Sequence, residues 1–477
     1  MTEEASLKHQ VLHSLKWVTL GKILTQLVRW VITFWVIRLL TPEDYGLVSM
    51  ADIYFGFLTL IVSQLFGPAI IQSKSLDNST LSSLFGTILI THFSIFALQY
   101  LTADLVAAYY ESDQVADILR VNAWCFLILA FNTIPAALLA KKMRFKAVSL
   151  IAAVANIVAA ISTLAMAMYG LGFWSLIYGE IISITLATLA TLYVQPIPCR
   201  PSFKLAKSVE LIKFGGALGA LSMLMYVFLH MDIAIAGSQL TAEEIGLFAI
   251  GLQFALMPQK KILPLIKQVA FPAFSKIQDK PTQIAHYVLK AQRLSLLITI
   301  PIFWGLASVV DLIIPIILGE KWISAIIPTT LILIIMPLRF SDELFNPALK
   351  SQKKVRHLLI NTSIMISVMF VAILIGVQYG AVGLALAWCF GFPVVYLINA
   401  WRNIHSLQIK LKEFVAVFTS PLLVGTAMLA VVFATKAVFD EVNVENLLLQ
   451  ILIGGITFIG LLFMADKKAI LEIKSLR

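Results

Sequence analysis

The sequence predicts an all-α polytopic membrane protein. Three observations carry that prediction. Hydrophobic residues make up 60% of the 477 and charged residues only 13%, whereas a soluble domain keeps roughly a quarter of its residues charged. Mean hydropathy is +0.91. Apolar runs of about twenty residues, the length that crosses the hydrocarbon core of a bilayer, recur from one end to the other.

Read with that ruler, the chain contains about fourteen spans. The first six cover Trp17–Leu40, Gly46–Ile71, Ser83–Ala103, Ile118–Ala140, Ala147–Tyr169 and Phe173–Val194. A second six cover Gly215–Gly237, Ile245–Ile266, Leu294–Leu318, Ile323–Phe345, Leu358–Gln378 and Ala381–Ala400. Phe414–Ala434 and Leu447–Met464 follow. The polar start, MTEEASLKHQVLHSLK, has no apolar core of the kind a cleaved signal needs, so the first span is expected to stay as an anchor.

Loop charge alternates. One set is basic: Lys141 to Lys146, Arg200 to Lys213, Lys267 to Arg293, Lys350 to Arg356, Arg402 to Lys412, and Lys467 to Arg477. The other is acidic or neutral, as at Glu43-Asp44, Asp104 to Asp117 and Thr241 to Glu244, with Lys321 and Lys436 as exceptions. The positive-inside rule places the basic loops and both termini in the cytoplasm of a multi-pass protein, expected in a bacterial inner membrane.

The chain also echoes itself. TPEDYGLVSM at residues 41–50 matches TAEEIGLFAI at 241–250, each between the first and second span of a series of six. A weaker echo pairs YGLGFWSLIYG at Tyr169 with YGAVGLALAWCFG at Tyr379. An even number of spans per repeat gives both halves the same orientation, a design used by transporters. The expected organisation is an N-terminal six-helix lobe over 1–200, a C-terminal six-helix lobe over 201–405, and two extra spans with a tail over 406–477.

Polar residues inside the spans single out a candidate site. Lys22, Gln26, Arg29 and Thr33 are spaced four, three and four apart, which puts them on one stripe of the first helix. Arg29 is too deep to snorkel, and a charge at that depth is costly unless it faces a polar cavity. The second span carries Asp52, Gly56, Thr59 and Ser63 along one face; Asp52 reads equally as a wetted rim residue or as a partner for a cavity cation. The seventh carries Ser222, Tyr226, His230 and Asp232, and the eighth carries Gln253, Lys260 and Lys261. Those two lysines fit ordinary positive-inside placement as well as phosphate binding. Glu180 stands alone in the sixth span. Basic groups suit a diphosphate, because charge-assisted bonds to phosphate are strong and Arg grips two oxygens at once. Lys22, Gln26, Arg29, Asp52, Lys260 and Lys261 are therefore candidates for substrate binding, and Glu180, Asp232 and His230 for ion coupling.

Several chemistries find no residues. The net charge of +10 is scattered over short loops, with no basic stripe for nucleic acid. Cys125, Cys199 and Cys389 lie far apart and His9 and His13 have no third ligand near them, so no metal site or other cofactor is expected. No phosphate-cradling GxxxxGK[ST] loop is present. Short outward loops without paired carboxylates disfavour a membrane polymerase or glycosyltransferase, and no catalytic residue is assigned.

Three strings carry a resemblance: Arg38-Leu-Leu-Thr-Pro-Glu-Asp-Tyr-Gly46, FPAFSKIQDK at Phe271 and LGEKWISAIIP at Leu318. Together they resemble the Wzx-type polysaccharide flippases of the multidrug/oligosaccharidyl-lipid/polysaccharide exporter superfamily, most closely its colanic acid and teichuronic acid exporters. The resemblance implies two six-helix lobes, with spans one, two, seven and eight lining a cationic cavity. It implies translocation of an undecaprenyl-diphosphate-linked oligosaccharide to the outer leaflet, coupled to protons or sodium. Besides membrane lipids, the polymerase and chain-length proteins of the same route are the partners it suggests. A multidrug exporter of the same superfamily is the alternative, and its cavity need not be cationic.

Overall fold

The computed structural model describes residue 26 and residues 29–73, 77–204 and 209–465, without the side chains of 209–221, 265, 267–269 and 465. Lys22, His9, His13, the start of the first span and the tail after 465 lie outside the described residues. Among the described residues the chain is helical, with no strand.

Each predicted span overlaps a helix, the first of them over its described part only. In chain order these are α1 (29–39), α2 (Pro42–Gln72), α3 (Asn78–Tyr110), α4 (Asp113–Lys141), α5 (Phe145–Met168), α6 (Trp174–Val194) and α7 (Val209–Ala236). They continue as α8 (Ala242–Lys276), α9 (Pro281–Ile313), α10 (Ile326–Glu343), a short α11 (Phe345–Ser351), α12 (Val355–Gly376), α13 (Gly380–Ser406), α14 (Leu411–Lys436) and α15 (Val444–Ala465). Ten described stretches are long and apolar enough to cross a membrane, with α12 and α13 joined in one of them; Ser222–Ala236 of α7 is a shorter apolar helix. Many helices outrun the predicted spans, because apolarity marks only the hydrocarbon part while caps and polar turns prolong the helix. The tenth span starts later than its apolar run. Residues Ile314–Leu318 form a π turn, Gly319 turns at φ 96, and Glu320–Ala325 form a 3-10 turn around the fully buried Trp322.

The chain divides into two compact units, Met1–His230 and Met231–Arg477. In the first, α3 packs on α4, α5 on α6, and α2 and α6 on α4. In the second the corresponding helices pair identically: α9 on α10, α12 on α13, and α8 and α13 on α10. The same order of helices with the same partners is a structural repeat. Helices α14 and α15 have no counterpart. They pack on α9, where Leu296 and Ile300 meet Val417, Val424, Met428, Phe458 and Leu462. Lipid tails are as apolar as leucine, so such contacts hold through close packing and hydrogen bonds rather than exclusion of water.

The two sequence echoes meet in space within each unit. Thr41 and Asp44 form a capping box that starts α2, and Thr241 and Glu244 form the same box at α8. The spare oxygen of Asp44 accepts the Phe173 N–H at 2.9 Å, in the turn between α5 and α6. Glu244 reaches the equivalent turn between α12 and α13, and a Cβ on Gly380 would lie 2.6 Å from its Oε1. Gly172 and Gly380 have φ of +55 and +69, values that favour glycine. At the opposite end, Lys141 closes α4 and donates to the Ser73 carbonyl at 2.6 Å and hydroxyl at 2.8 Å, while Lys142 donates to Gln195 at 2.8 Å. Basic side chains thus satisfy the C-terminal ends of α2 and α6, where the helix dipole is negative.

Candidate functional site

On α1, Val31 and Trp35 are 60% and 56% exposed and form the lipid face, whereas Val36 and Leu40 are buried with Ala167 of α5. Arg29 and Thr33 lie on the side away from Val31 and Trp35, and both are half-buried. Among the described residues Arg29 has no hydrogen-bond or ion-pair partner. Gln26 is half-buried and engaged; Lys22 is outside the described residues.

Helix α2 is split lengthwise. Phe55, Leu58 and Val62 are buried against Cys125 and Phe126 of α4. Its other face carries Asp52 and Ser63, both exposed, with Gly56 and Thr59 between them. The Thr59 and Ser63 hydroxyls donate to carbonyls of their own helix at 2.8 and 3.0 Å, leaving their lone pairs available.

Tyr226 of α7 lies across this face. Its hydroxyl is 3.1 Å from the Ile53 carbonyl and 3.3 Å from that of Asp52. That approach needs Gly56, where a Cβ would sit 2.3 Å from the hydroxyl. His230 stacks on Tyr226 with ring centroids 4.2 Å apart, and Phe57 closes the other side at 6.0 Å. Glu180 is half-buried on α6 and lies close enough to Asp52 for the two charges to interact. The structure therefore gathers Asp52, Glu180, Tyr226 and His230 in the first unit.

The remaining candidates stand elsewhere. Lys260 and Lys261 are exposed on α8. Asp232 is fully buried and accepts the indole N–H of Trp388 at 3.3 Å. That indole also carries on its face the guanidinium of Arg339, 4.1 Å from the ring centroid, with the Phe392 ring at 5.9 Å. Arg339 is a buried membrane cation that the sequence reading passed over, together with Asp342 and Glu343 beside it. The signal was there: three charges within Arg339–Glu343, inside the predicted span Ile323–Phe345. Near them Gln292, Ser341 and Tyr396 form a buried network, with Ser341 and Tyr396 hydroxyls 2.7 Å apart. Among the described residues no three His, Cys, Asp or Glu side chains group so as to hold a metal.

A polar stripe on apolar helices and a repeated order of packed helices are the features of a polytopic membrane protein. The fold is that of the lipid II flippase MurJ in its inward closed conformation, with a TM-score of 0.75 and 16% identity, covering 96% of this chain and 100% of that one. An inward-facing MATE family multidrug resistance transporter of the MOP superfamily matches less closely, with a TM-score of 0.51 and 12% identity over 80% of this chain and 95% of its own. The model of the polysaccharide biosynthesis protein family matches residues 35–327, and the chain belongs to that family. The teichuronic acid biosynthesis protein TuaB of Bacillus subtilis is 23% identical over 96% of both chains. The lipopolysaccharide biosynthesis protein WzxC of Escherichia coli is 24% identical over 83% of this chain and 80% of its own. A Klebsiella pneumoniae membrane protein of the cps region is 23% identical over 99% of this chain and 98% of its own. The resemblance carried by the three sequence strings holds at the level of the family.

Proposed function

We propose that this protein is a flippase that moves undecaprenyl-diphosphate-linked oligosaccharide units across a bacterial inner membrane by alternating access. The units feed lipopolysaccharide, capsule or exopolysaccharide assembly, and the role is transport rather than catalysis. The observation that carries the proposal is Arg29, a membrane-depth guanidinium turned from the lipid face of α1 with no partner among the described residues. A charge so placed is matched by an anion in transit, and a diphosphate offers one with bidentate geometry. Relatives named for teichuronic acid and lipopolysaccharide biosynthesis, and a lipid II flippase of the same fold, point to one class of cargo. The open hydroxyls and carboxylate along α2 suit the sugar part. Both termini are assigned to the cytoplasm, because Lys141 and Lys142 mark the basic end of the first unit.

Depletion in a polymer-producing bacterium is expected to abolish surface polysaccharide and to make lipid-linked oligosaccharide accumulate in membrane extracts. Unchanged surface polymer with no accumulation overturns the proposal. Sensitisation to unrelated toxic cations without any change in polymer assigns the chain to multidrug export instead.

A further inference from the structure

The cytoplasm-assigned end of the α12–α13 hairpin carries an unbalanced cluster of cations. From Leu344 to Lys412 the sequence contains no Asp or Glu, yet it contains Lys350, Lys353, Lys354, Arg356, Arg402 and Lys410. The first acid beyond it, Glu413, lies 3.6 Å from Lys410. Positive loops are ordinary in membrane proteins. Fixed ones are not.

Arg402 of α13 is held in place: its Nε donates to Asn361 Oδ1 at 2.9 Å, and Asn361 in turn donates to Asn403 at 2.7 Å. The ring of His357 bonds the same Asn403 oxygen at 3.0 Å. Asn361 and Asn403 are buried, so this frame is part of the helix packing. Lys354 caps the other side by donating to the Ser406 carbonyl. Lys354 and Arg402 both lie close enough to act on the charge of His357. Burial pulls the pKa of Lys354 below its ordinary value. Among the described residues, Arg356, Arg402, Lys353 and Lys354 have no carboxylate partner. Side-chain entropy and like-charge repulsion oppose such an arrangement, and an anion removes the opposition.

Directly below the cations the hairpin presents an apolar surface. Leu359 and Ile360 follow Arg356 by one turn on the exposed face of α12, and Leu397 and Trp401 stand exposed on α13. Trp401 lies against His405 with ring centroids 4.6 Å apart, the placement of an indole at a membrane–water boundary. Cations at the end of the hairpin and exposed apolar side chains one turn further along both helices fit one amphiphile.

We propose that the basic end of the α12–α13 hairpin, built around Arg402 and Arg356, is a binding site for the phosphate headgroup of an anionic phospholipid, whose acyl chains lie along Leu359, Ile360, Leu397 and Trp401. The site is separate from the polar face of α2 and does not rest on the transport reading. A soluble phosphate would use the same cations but would leave the exposed apolar side chains of the hairpin without a role.

The test uses the purified full-length protein in mixed micelles, with phosphatidylglycerol or the zwitterionic phosphatidylethanolamine as probe and native mass spectrometry as readout. Wild type is expected to retain phosphatidylglycerol over phosphatidylethanolamine by about tenfold or more, the scale of one or two charge-assisted contacts. Arg402→Gln is expected to lose most of that preference and Arg402→Lys to keep part of it. Arg356 is exposed and makes no packing contact on which folding depends, so Arg356→Gln gives the same reading if Arg402→Gln fails to fold. Lys276→Gln, which removes a charge from the end of α8, should leave the preference unchanged. Equal retention of the two lipids by wild type, or wild-type preference in both Arg→Gln variants, overturns the proposal. Release of phosphatidylglycerol by millimolar inorganic pyrophosphate, with no lipid preference remaining, would assign the cluster to a soluble phosphate instead.

Discussion

A guanidinium at membrane depth costs at least ~2.5–3.5 kcal/mol unless something polar receives it. The two deep arginines of this chain meet that cost differently. Arg339 lies on the face of Trp388, and the edge of the same indole serves Asp232. Its charge meets that π face and feels Asp232 and Glu343 nearby, all within the second unit, although its Nη1 makes no hydrogen bond there. Arg29 has no such housing, and this difference makes it the residue on which the substrate reading depends. Arg29→Ala should abolish most export, because losing a charge-assisted contact costs about 1.5–3 kcal/mol, or roughly ten- to over a hundredfold in affinity. Arg29→Lys should keep a measurable fraction, since a point charge still attracts phosphate. Neither Arg29 nor Asp52 has an ion-pair partner among the described residues, so adding Asp52→Asn to Arg29→Ala should not restore export. Surface polymer quantified at matched protein levels checks all three, and normal export by the double variant would return Arg29 to a structural role. Arg29 was legible in the sequence because it interrupts a long apolar run. Arg339 was harder to read: it lies inside the predicted span Ile323–Phe345, but three charges close to the end of a span resemble the beginning of a loop. Charge exceptions resolve the same way: Lys436, out of place by the loop rule, lies 2.5 Å from Asp311 of α9.

Among the elements, α2 and α8 begin on a cap that the sequence repeats. The echo of TPEDYGLVSM in TAEEIGLFAI was legible as a repeat, and its chemistry is that of a capping box. What the linear string could not give is the second use of the acid. Asp44 has one oxygen for its own cap, at 2.8 Å from the Thr41 N–H, and another for the Phe173 N–H across the unit. The weaker echo supplies the other half of that latch at Phe173 in the first unit, and in the second it sets Gly380 beside Glu244. Asp44→Ala removes the reciprocal cap and leaves the Phe173 amide unpaired. The expected cost is about 2–3 kcal/mol, adding a lost cap to a lost bond. Thermal unfolding of the purified protein should show a lowered midpoint, with Asp44→Asn less affected because an amide oxygen still accepts. A midpoint equal to wild type in Asp44→Ala would show that the latch is not closed in the membrane.

For the whole molecule, hydropathy already gave an all-helical polytopic protein and the order of its apolar helices. The identical pairing of α2, α3, α4, α5 and α6 with one another and of α8, α9, α10, α12 and α13 explains why the two series had matching lengths. The prediction at this scale is topological. With Cys125, Cys199 and Cys389 replaced, Met143→Cys should resist a membrane-impermeant thiol reagent in intact cells, whereas Asp113→Cys should react. Both should react once the membrane is opened, and the reverse pattern would invert the assigned orientation. Sequence did not disclose where α14 and α15 attach, because an apolar span carries no label for its neighbour. Their seat on α9 sets the order in which the protein can be made. Leu296 and Ile300 enter the bilayer long before Val417, Met428 and Phe458 have been synthesised, so during insertion α9 shows the lipid a face that belongs to protein. The second unit cannot finish assembling one helix at a time behind the ribosome. It stays open on that side until the late hairpin arrives, and a nascent chain stalled before Leu411 is the form most exposed to quality-control proteases.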